Sequence, residues 1–278
     1  MGCRLWTDLS CMAHSLKTGT LRLRLTVALP VLALLNSGPL RADDFRAVLA
    51  RGDEFCRVFD EASAVAQYER AHQLDPHNFE ALEGLARASE DFGNKLAARG
   101  SKDAEGYFLE AVGAAELMRR QHPNRAEPYY YMAGAYGSLA LIKHCAEKIR
   151  LGAKVEEYAK KAIALNPDYG PAYAVLGVFY REVARLNWIE RTLATTFFGR
   201  IPPVRYEDSV TMLLKGVELS PTSVYAHYQL ALTYQETGQR NQAAKAFRDT
   251  VALPPRNSFE MVLKTEAQRR LQDLGTST

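Results

Sequence analysis

The sequence predicts an all-α solenoid, about five helix pairs stacked in order and closed by a C-terminal capping helix. Three observations predict it. From Asp43 onward apolar residues recur at intervals of three and four, and no stretch alternates as a half-buried strand would. Leu74-Asp75-Pro76, Leu165-Asn166-Pro167, Leu219-Ser220-Pro221 and Leu253-Pro254-Pro255 share one pattern, a helix end followed by a proline stop. Pro76, Pro123, Pro167, Pro221 and Pro255 are separated by 47, 44, 54 and 34 residues, so one supersecondary unit recurs along the chain.

The chain opens on a segment of different character. Lys17, Arg22 and Arg24 precede an apolar run, Leu25 to Leu35, which Asn36, Ser37, Gly38 and Pro39 break. A positive region, an apolar region and a small residue at Ala42 make the layout of a secretory signal peptide over 1–42. The run has 11 residues, too few to span a bilayer at about 20. Cleavage after Ala42 would leave Asp43 as the mature N-terminus, and Met12 competes with Met1 as the start. The expected compartment is periplasmic or secreted, or cytoplasmic if the leader does not function. Cys56 and Cys145 follow the leader. They could pair in an oxidising compartment, although two buried apolar cysteines are the simpler reading.

The repeat domain is expected over 43–274, with 275–278 as a loose tail. The last unit shows the frame best. Counted from Val224, Leu230 and Ala231 are seventh and eighth, Tyr234 eleventh, Ala243 twentieth, Phe247 twenty-fourth and Pro255 thirty-second. Small residues at eight and twenty let two antiparallel helices approach, larger ones fill the seam, and Gly238 permits the turn. The period of 34 and this pattern are those of the tetratricopeptide repeat.

The earlier units fit in order. The first helix, Phe45 to Phe59, is the weakest, with Arg51 at its seventh position. Terminal repeats are often atypical because they cap the stack. Ala64, Tyr68 and Ala71 belong to the second helix of that unit, and Leu82, Leu85, Ala86 and Gly93 to the next unit. Tyr129, Met132, Ala133 and Tyr136 fit the third, and Tyr173, Leu176, Gly177 and Tyr180 the fourth. Three spacings exceed 34 by 13, 10 and 20 residues, which predicts longer helices in repeats two to four and an insert over 183–206. Asn257 with Glu260 three residues on resembles a capping box, and Phe259, Val262, Leu263, Leu271 and Leu274 give the capping helix one apolar stripe.

Composition excludes several classes. The chain has 278 residues, is 47% hydrophobic and 24% charged, and so can bury a core without being disordered. The formal charge of +3 belongs to the leader, because residues after 42 hold 30 bases against 31 acids. The repeat domain therefore has no bulk electrostatic claim on nucleic acid.

The insert carries a resemblance. Val183 to Arg191 contains Trp188-Ile189-Glu190-Arg191, then Phe197-Phe198-Gly199 and Pro202-Pro203 follow. Upstream stand Pro167-Asp168-Tyr169 and Leu176-Gly177, downstream Tyr206-Glu207-Asp208, Leu214-Lys215 and Leu253-Pro254. This order resembles the regulator of microtubule dynamics family over roughly 45–274, here behind a bacterial-type export signal. The resemblance implies a non-enzymatic helical module. Its animal members are linked to microtubules and spindle poles, and one tethers mitochondria to endoplasmic reticulum through a domain that takes up phospholipid. An exported chain would not meet tubulin.

No catalytic or metal motif stands out. The six histidines lack zinc spacing, and there is no CxxC, GxSxG, Walker loop or GxGxxG. No enzyme activity, cofactor or metal is expected. The repeat frame instead turns Tyr130, Arg181, Tyr225 and Tyr228 toward the concave groove, with Arg87 beside Glu80, Glu83, Glu90 and Asp91 on an acidic end. These are either groove residues for a peptide or amphiphile, or a solvated face with tyrosines over the seam. The Lys, Asn and Arg cluster that clamps a C-terminal carboxylate in chaperone-binding repeats is missing, which removes that partner class. Trp188, Ile189, Leu193 and Phe197 form an apolar stripe, expected to pack on the neighbouring repeat or, alternatively, to contact lipid as a lid. The leading expectation is a scaffold whose polar groove holds a protein partner. The alternative is a carrier of lipid or another apolar molecule, and a second alternative is a cytoplasmic microtubule-associated role without export.

Overall fold

A computed structural model of the chain describes residues 42–276 apart from 189–190, 193–194 and 196–200. The signal-peptide reading falls on residues outside this range, apart from Ala42 at the start of the first described helix. The described residues contain helices and no strand. In chain order the helices are α1 (Ala42–Arg57), α2 (Glu61–Leu74), α3 (Phe79–Ala98), α4 (Ala104–Gln121), α5 (Glu127–Ile142) and α6 (Cys145–Leu165). They continue as α7 (Gly170–Ala184), α8 (Tyr206–Leu219), α9 (Val224–Glu236), α10 (Arg240–Ala252) and α11 (Ser258–Thr276). Successive pairs pack antiparallel as α1/α2, α3/α4, α5/α6, α7/α8 and α9/α10, and α11 covers the last pair.

Local chemistry sets these bounds. Asp60, Asn78 and Ser223 each accept from the backbone N–H three residues on, satisfying an orphan donor at the starts of α2, α3 and α9. Pro128 and Pro171 sit in the first turns of α5 and α7, where no N–H is needed. At the stops, the N–H groups of Asp75, Asn166 and Ser220 bond back to Ala71, Ala162 and Gly216, and the following proline prevents continuation. Gly238 turns between α9 and α10 with φ +73°, a conformation that a side chain would strain.

The seams are built from small residues facing large ones. Ala64, Ala86, Ala133, Ala159, Ala231 and Ala243 are fully buried. Tyr68 lies against Gly84, where a Cβ would fall 2.4 Å from the ring. Leu213 fills the same kind of gap at Gly177. Burial of such side chains contributes about 1.5–3 kcal/mol each. Because each pair packs on its neighbours, the first helices α1, α3, α5, α7 and α9 line one side of the stack, the concave wall.

The extra residues lie in two places. α3 and α4 have 20 and 18 residues and α5 and α6 have 16 and 21, against 13 each in α9 and α10. The fourth pair is lengthened far less than expected: α7 and α8 have 15 and 14 residues. Its extra chain forms the connection between Ala184 and Tyr206, where Trp188, Arg191, Thr192 and Thr195 are also helical. Trp188 is corrected as well. It was expected to be buried, yet it is 77% exposed. Ile189, Leu193 and Phe197 of the same stripe lie outside the described residues. Cys56 is a free, half-buried thiol whose pKa burial pushes up, and the Cys145 side chain is outside the described set.

Candidate partner-binding site

The concave wall begins on α3. Glu83, Arg87, Glu90 and Asp91 recur there at helical spacing and face the same side. Arg87 donates to the Tyr68 hydroxyl at 3.1 Å and lies 3.7 Å from Asp53 of α1. The Tyr68 hydroxyl in turn donates to Asp53 at 2.6 Å. Glu83 accepts from the Tyr131 hydroxyl of α5 at 3.4 Å. Glu90 accepts from Ser138 at 3.4 Å and lies against Gly134, where a Cβ would come within 2.7 Å of its carboxylate.

α5 adds aromatic rings. Tyr130 stands 5.0 Å from Tyr131 and 5.4 Å, edge-on, from Tyr169 at the entry to α7. α7 adds Arg181, only 5% exposed, which donates to the backbone oxygen of Gln229 on α9 at 3.2 Å. Its Nε lies 3.6 Å from Glu182 and 3.9 Å from Glu236. Arg185 pairs with Glu182 and Glu236 beside it. α9 adds Tyr225, which stands in the fields of both Arg181 and Glu90.

The wall is closed by α11. Asn257, just before the helix, donates from its side-chain amide to Asp91 at 2.7 Å, and Ser258 N–H donates to Glu61 at 2.9 Å. Glu61 is 2% exposed and also accepts from Lys95 Nζ at 2.7 Å. Burial alone would raise its pKa, but the hydrogen bonds from Lys95 and Ser258 hold it below the ordinary value. Arg256 grips Glu260 with two nitrogens, at 2.6 and 3.1 Å. The Asn257 oxygen caps Glu260 N–H at 2.7 Å, but Glu260 returns to Arg256 N–H and not to Asn257, so only half the expected capping box forms.

Thus the inner sides of α3, α5, α7, α9 and the start of α11 bound one concave space, here called the chamber. Its walls leave the Glu90 and Asp91 carboxylates half-buried. Burial, with repulsion from Asp91, pushes the Glu90 pKa up to about 8. Burial pushes that of Asp91 to about 7, against the Asn257 hydrogen bond and the Arg87 charge. Burial likewise raises Tyr130 well above its ordinary value and Tyr225 to about 12.

Among the residues singled out from sequence, Arg87, Tyr130, Arg181 and Tyr225 border this chamber. Tyr228 does not. It is 6% exposed and packs against Phe247 at 6.1 Å within the seam of α9, α10 and α11. The capping helix occupies the place where a further repeat would leave the fifth position open. Glu83, Glu90 and Asp91 were visible in the sequence only as an acidic end, and the role of Asn257 toward Asp91 was not visible at all. A separate pocket of about 260 Å³ lies at the edge of α8 and α9, lined by Tyr206, Glu207, Val210, Thr211, Thr237 and Gln239.

Comparison with known proteins agrees with the repeat architecture. The family described as Regulator of microtubule dynamics protein 1-3 matches residues 48–275. Regulator of microtubule dynamics protein 3 of Mus musculus is 28% identical over 171 residues, 61% of this chain and 36% of that protein. Regulator of microtubule dynamics protein 2 of Homo sapiens is 30% identical over 156 residues, 56% of this chain and 37% of that protein. The match therefore spans little more than a third of these relatives' length. Among solved structures, a thermophilic tetratricopeptide protein of Thermus thermophilus, TTC0263, superposes with a TM-score of 0.59. It is 18% identical, and the match covers 81% of this chain and 98% of that one, a likeness of fold.

Proposed function

We propose, from the premise that this chain belongs to the regulator of microtubule dynamics protein 1-3 family, that its concave wall holds a segment of a protein partner. It acts as a binding module, without catalysis. The observation that carries the reading is the character of the chamber. Glu83, Arg87, Glu90, Asp91 and Arg181 alternate there with Tyr130 and Tyr225, a mixed polar and aromatic lining suited to a peptide. A lipid carrier would instead need a continuous apolar cavity. The pocket at α8 and α9 is lined by Glu207, Thr211 and Gln239 as much as by carbon, and at about 260 Å³ it is below the 300–1,000 Å³ of common small-molecule sites.

Export belongs to the same proposal. Residues 1–42 act as a cleaved signal and the domain works in the periplasm or outside the cell, so the relatives' names do not carry a microtubule role to this chain. N-terminal sequencing of the exported material should begin at or near Asp43, and a full-length cytosolic chain would contradict export.

The partner proposal is tested with a photo-crosslinking amino acid placed at Tyr130, at Tyr225 or at exposed Leu109 on α4. Irradiation in the source cells should give protein adducts from positions 130 and 225 and none from 109. Adducts from 109 alone, or adducts of lipid only, would contradict the reading.

A further inference from the structure

The cations around the chamber each have an acid within ion-pair distance: Arg256 has Glu260, Lys95 has Glu61, Arg87 has Asp53, and Arg181 has Glu182 and Glu236, although the Arg181 Nε is left without a hydrogen bond. The acids are not matched in return. Glu90 accepts from the Ser138 hydroxyl, and Asp91 from the Asn257 amide. Among the described residues neither has a lysine or arginine within ion-pair distance. These half-buried acids therefore lack an ion-pair partner, although the Arg87 charge acts on Asp91, and a proton or a cation would relieve the cost of their desolvation.

A second observation points to a ligand. Gln229 is 8% exposed, and its side-chain oxygen has no hydrogen-bond partner. A buried acceptor left unpaired costs about 1–3 kcal/mol, so it is a place where an N–H is missing. Gln229 lies one helical turn beyond Tyr225, on the same face of α9. Tyr225 on that face feels the Arg181 charge and, less strongly, that of Glu90, which also acts on Tyr130 of α5. Aromatic rings attract cations, and tyrosine hydroxyls accept their N–H groups.

We infer that the chamber receives a basic side chain of the partner, lysine or arginine, with its charge on Glu90 and Asp91, its stem between Tyr130 and Tyr225, and an N–H on Gln229. This rests on the peptide-binding reading above and narrows it to a segment with a basic anchor. With its pKa pushed up to about 8 by burial, Glu90 holds a proton at neutral pH, which the incoming cation displaces.

The test uses the whole chain and an array of random dodecapeptides at about 150 mM salt, where exposed charges are screened. Retained peptides are remade with each lysine or arginine replaced by norleucine. One replacement in each should lower affinity at least tenfold. The double variant Glu90→Gln/Asp91→Asn should show the same loss toward the parent peptide. It presents the uncharged shape that burial already favours, so it should fold, which circular dichroism checks. Peptides that bind without regard to norleucine replacement, or a basic preference that survives in the variant, would overturn the inference and leave the partner reading standing. No retained peptide and no adduct from Tyr130 would overturn both. Sedimentation with phosphatidylcholine vesicles that the double variant loses would assign the chamber to a lipid headgroup and overturn the peptide anchor.

Discussion

Asn257 joins two parts of the chain 166 positions apart. Its amide nitrogen donates to Asp91 on α3 at 2.7 Å, while its oxygen accepts from Glu260 N–H at 2.7 Å at the start of α11. One side chain therefore starts the capping helix and ties it to the second repeat. Ser258 adds the bond to Glu61, itself paired with Lys95. In an open solenoid each repeat meets only its neighbours, but here the last helix returns to the first two pairs, turning a groove into a chamber.

Closure around acids makes stability depend on pH. Asp91 is faced by Arg87, Glu61 and Glu260 as well as Asn257, and Glu90 by Asp91 and Ser138. Their pKa values, raised to about 7 and about 8, exceed those of free carboxylates. Between about pH 4 and those values the folded chain holds more protons than the unfolded one, so stability falls as pH rises. Glu116, held near about 2 by Arg119, opposes this only at lower pH. The melting midpoint should be higher at pH 5 than at pH 8.5, by about 2–4 °C for each kcal/mol lost. Glu90→Gln/Asp91→Asn should reduce that slope, leaving the part due to Glu110, raised to about 7 by burial, and to Glu83, and an equal slope in both chains would refute the assignment.

Two glycines separate packing from propensity. Gly84→Ala places a Cβ 2.4 Å from the Tyr68 ring and should cost about 1–3 kcal/mol by overpacking. Gly113→Ala, on exposed α4 surface with nothing within 4 Å, should gain up to about 1 kcal/mol from helix propensity. Urea denaturation of both variants measures the contrast, and equal effects would refute the close packing.

Trp188 provides a third check. At 77% exposure its indole meets water. Trp188→Ala should change stability by less than about 0.5 kcal/mol. The difference between the emission spectra of the parent and Trp188→Phe should be that of a solvated indole. A loss of about 3–5 kcal/mol, as for a buried aromatic, would contradict this placement.

Much of the fold was legible because its causes are local. Helical spacing, the Leu-x-Pro stops and the alanines at close-approach positions each act within a turn or two of helix. Tyr130 and Tyr225 were legible for the same reason, since position in the repeat decides which way a first-helix residue faces. Tyr228 holds an equivalent position but is covered by α11, and local spacing does not say what covers a face. Trp188 shows the converse, an apolar stripe whose period gives a side and no partner. The capping role of Asn257 was visible in its spacing to Glu260. Its bond to Asp91 was not, because nothing periodic links residues so far apart in sequence.

The account stands on that closure, and a double-mutant cycle over Asp91→Ala and Asn257→Ala measures it most directly. Asn257→Ala also removes the α11 cap, worth about 1 kcal/mol, but that loss is common to both arms and cancels. Stabilities from urea denaturation at pH 7 should show a coupling of about 1 kcal/mol or more between the two positions, as for a partly buried hydrogen bond. Effects that add to within about 0.3 kcal/mol would mean that α11 does not close on α3 in solution.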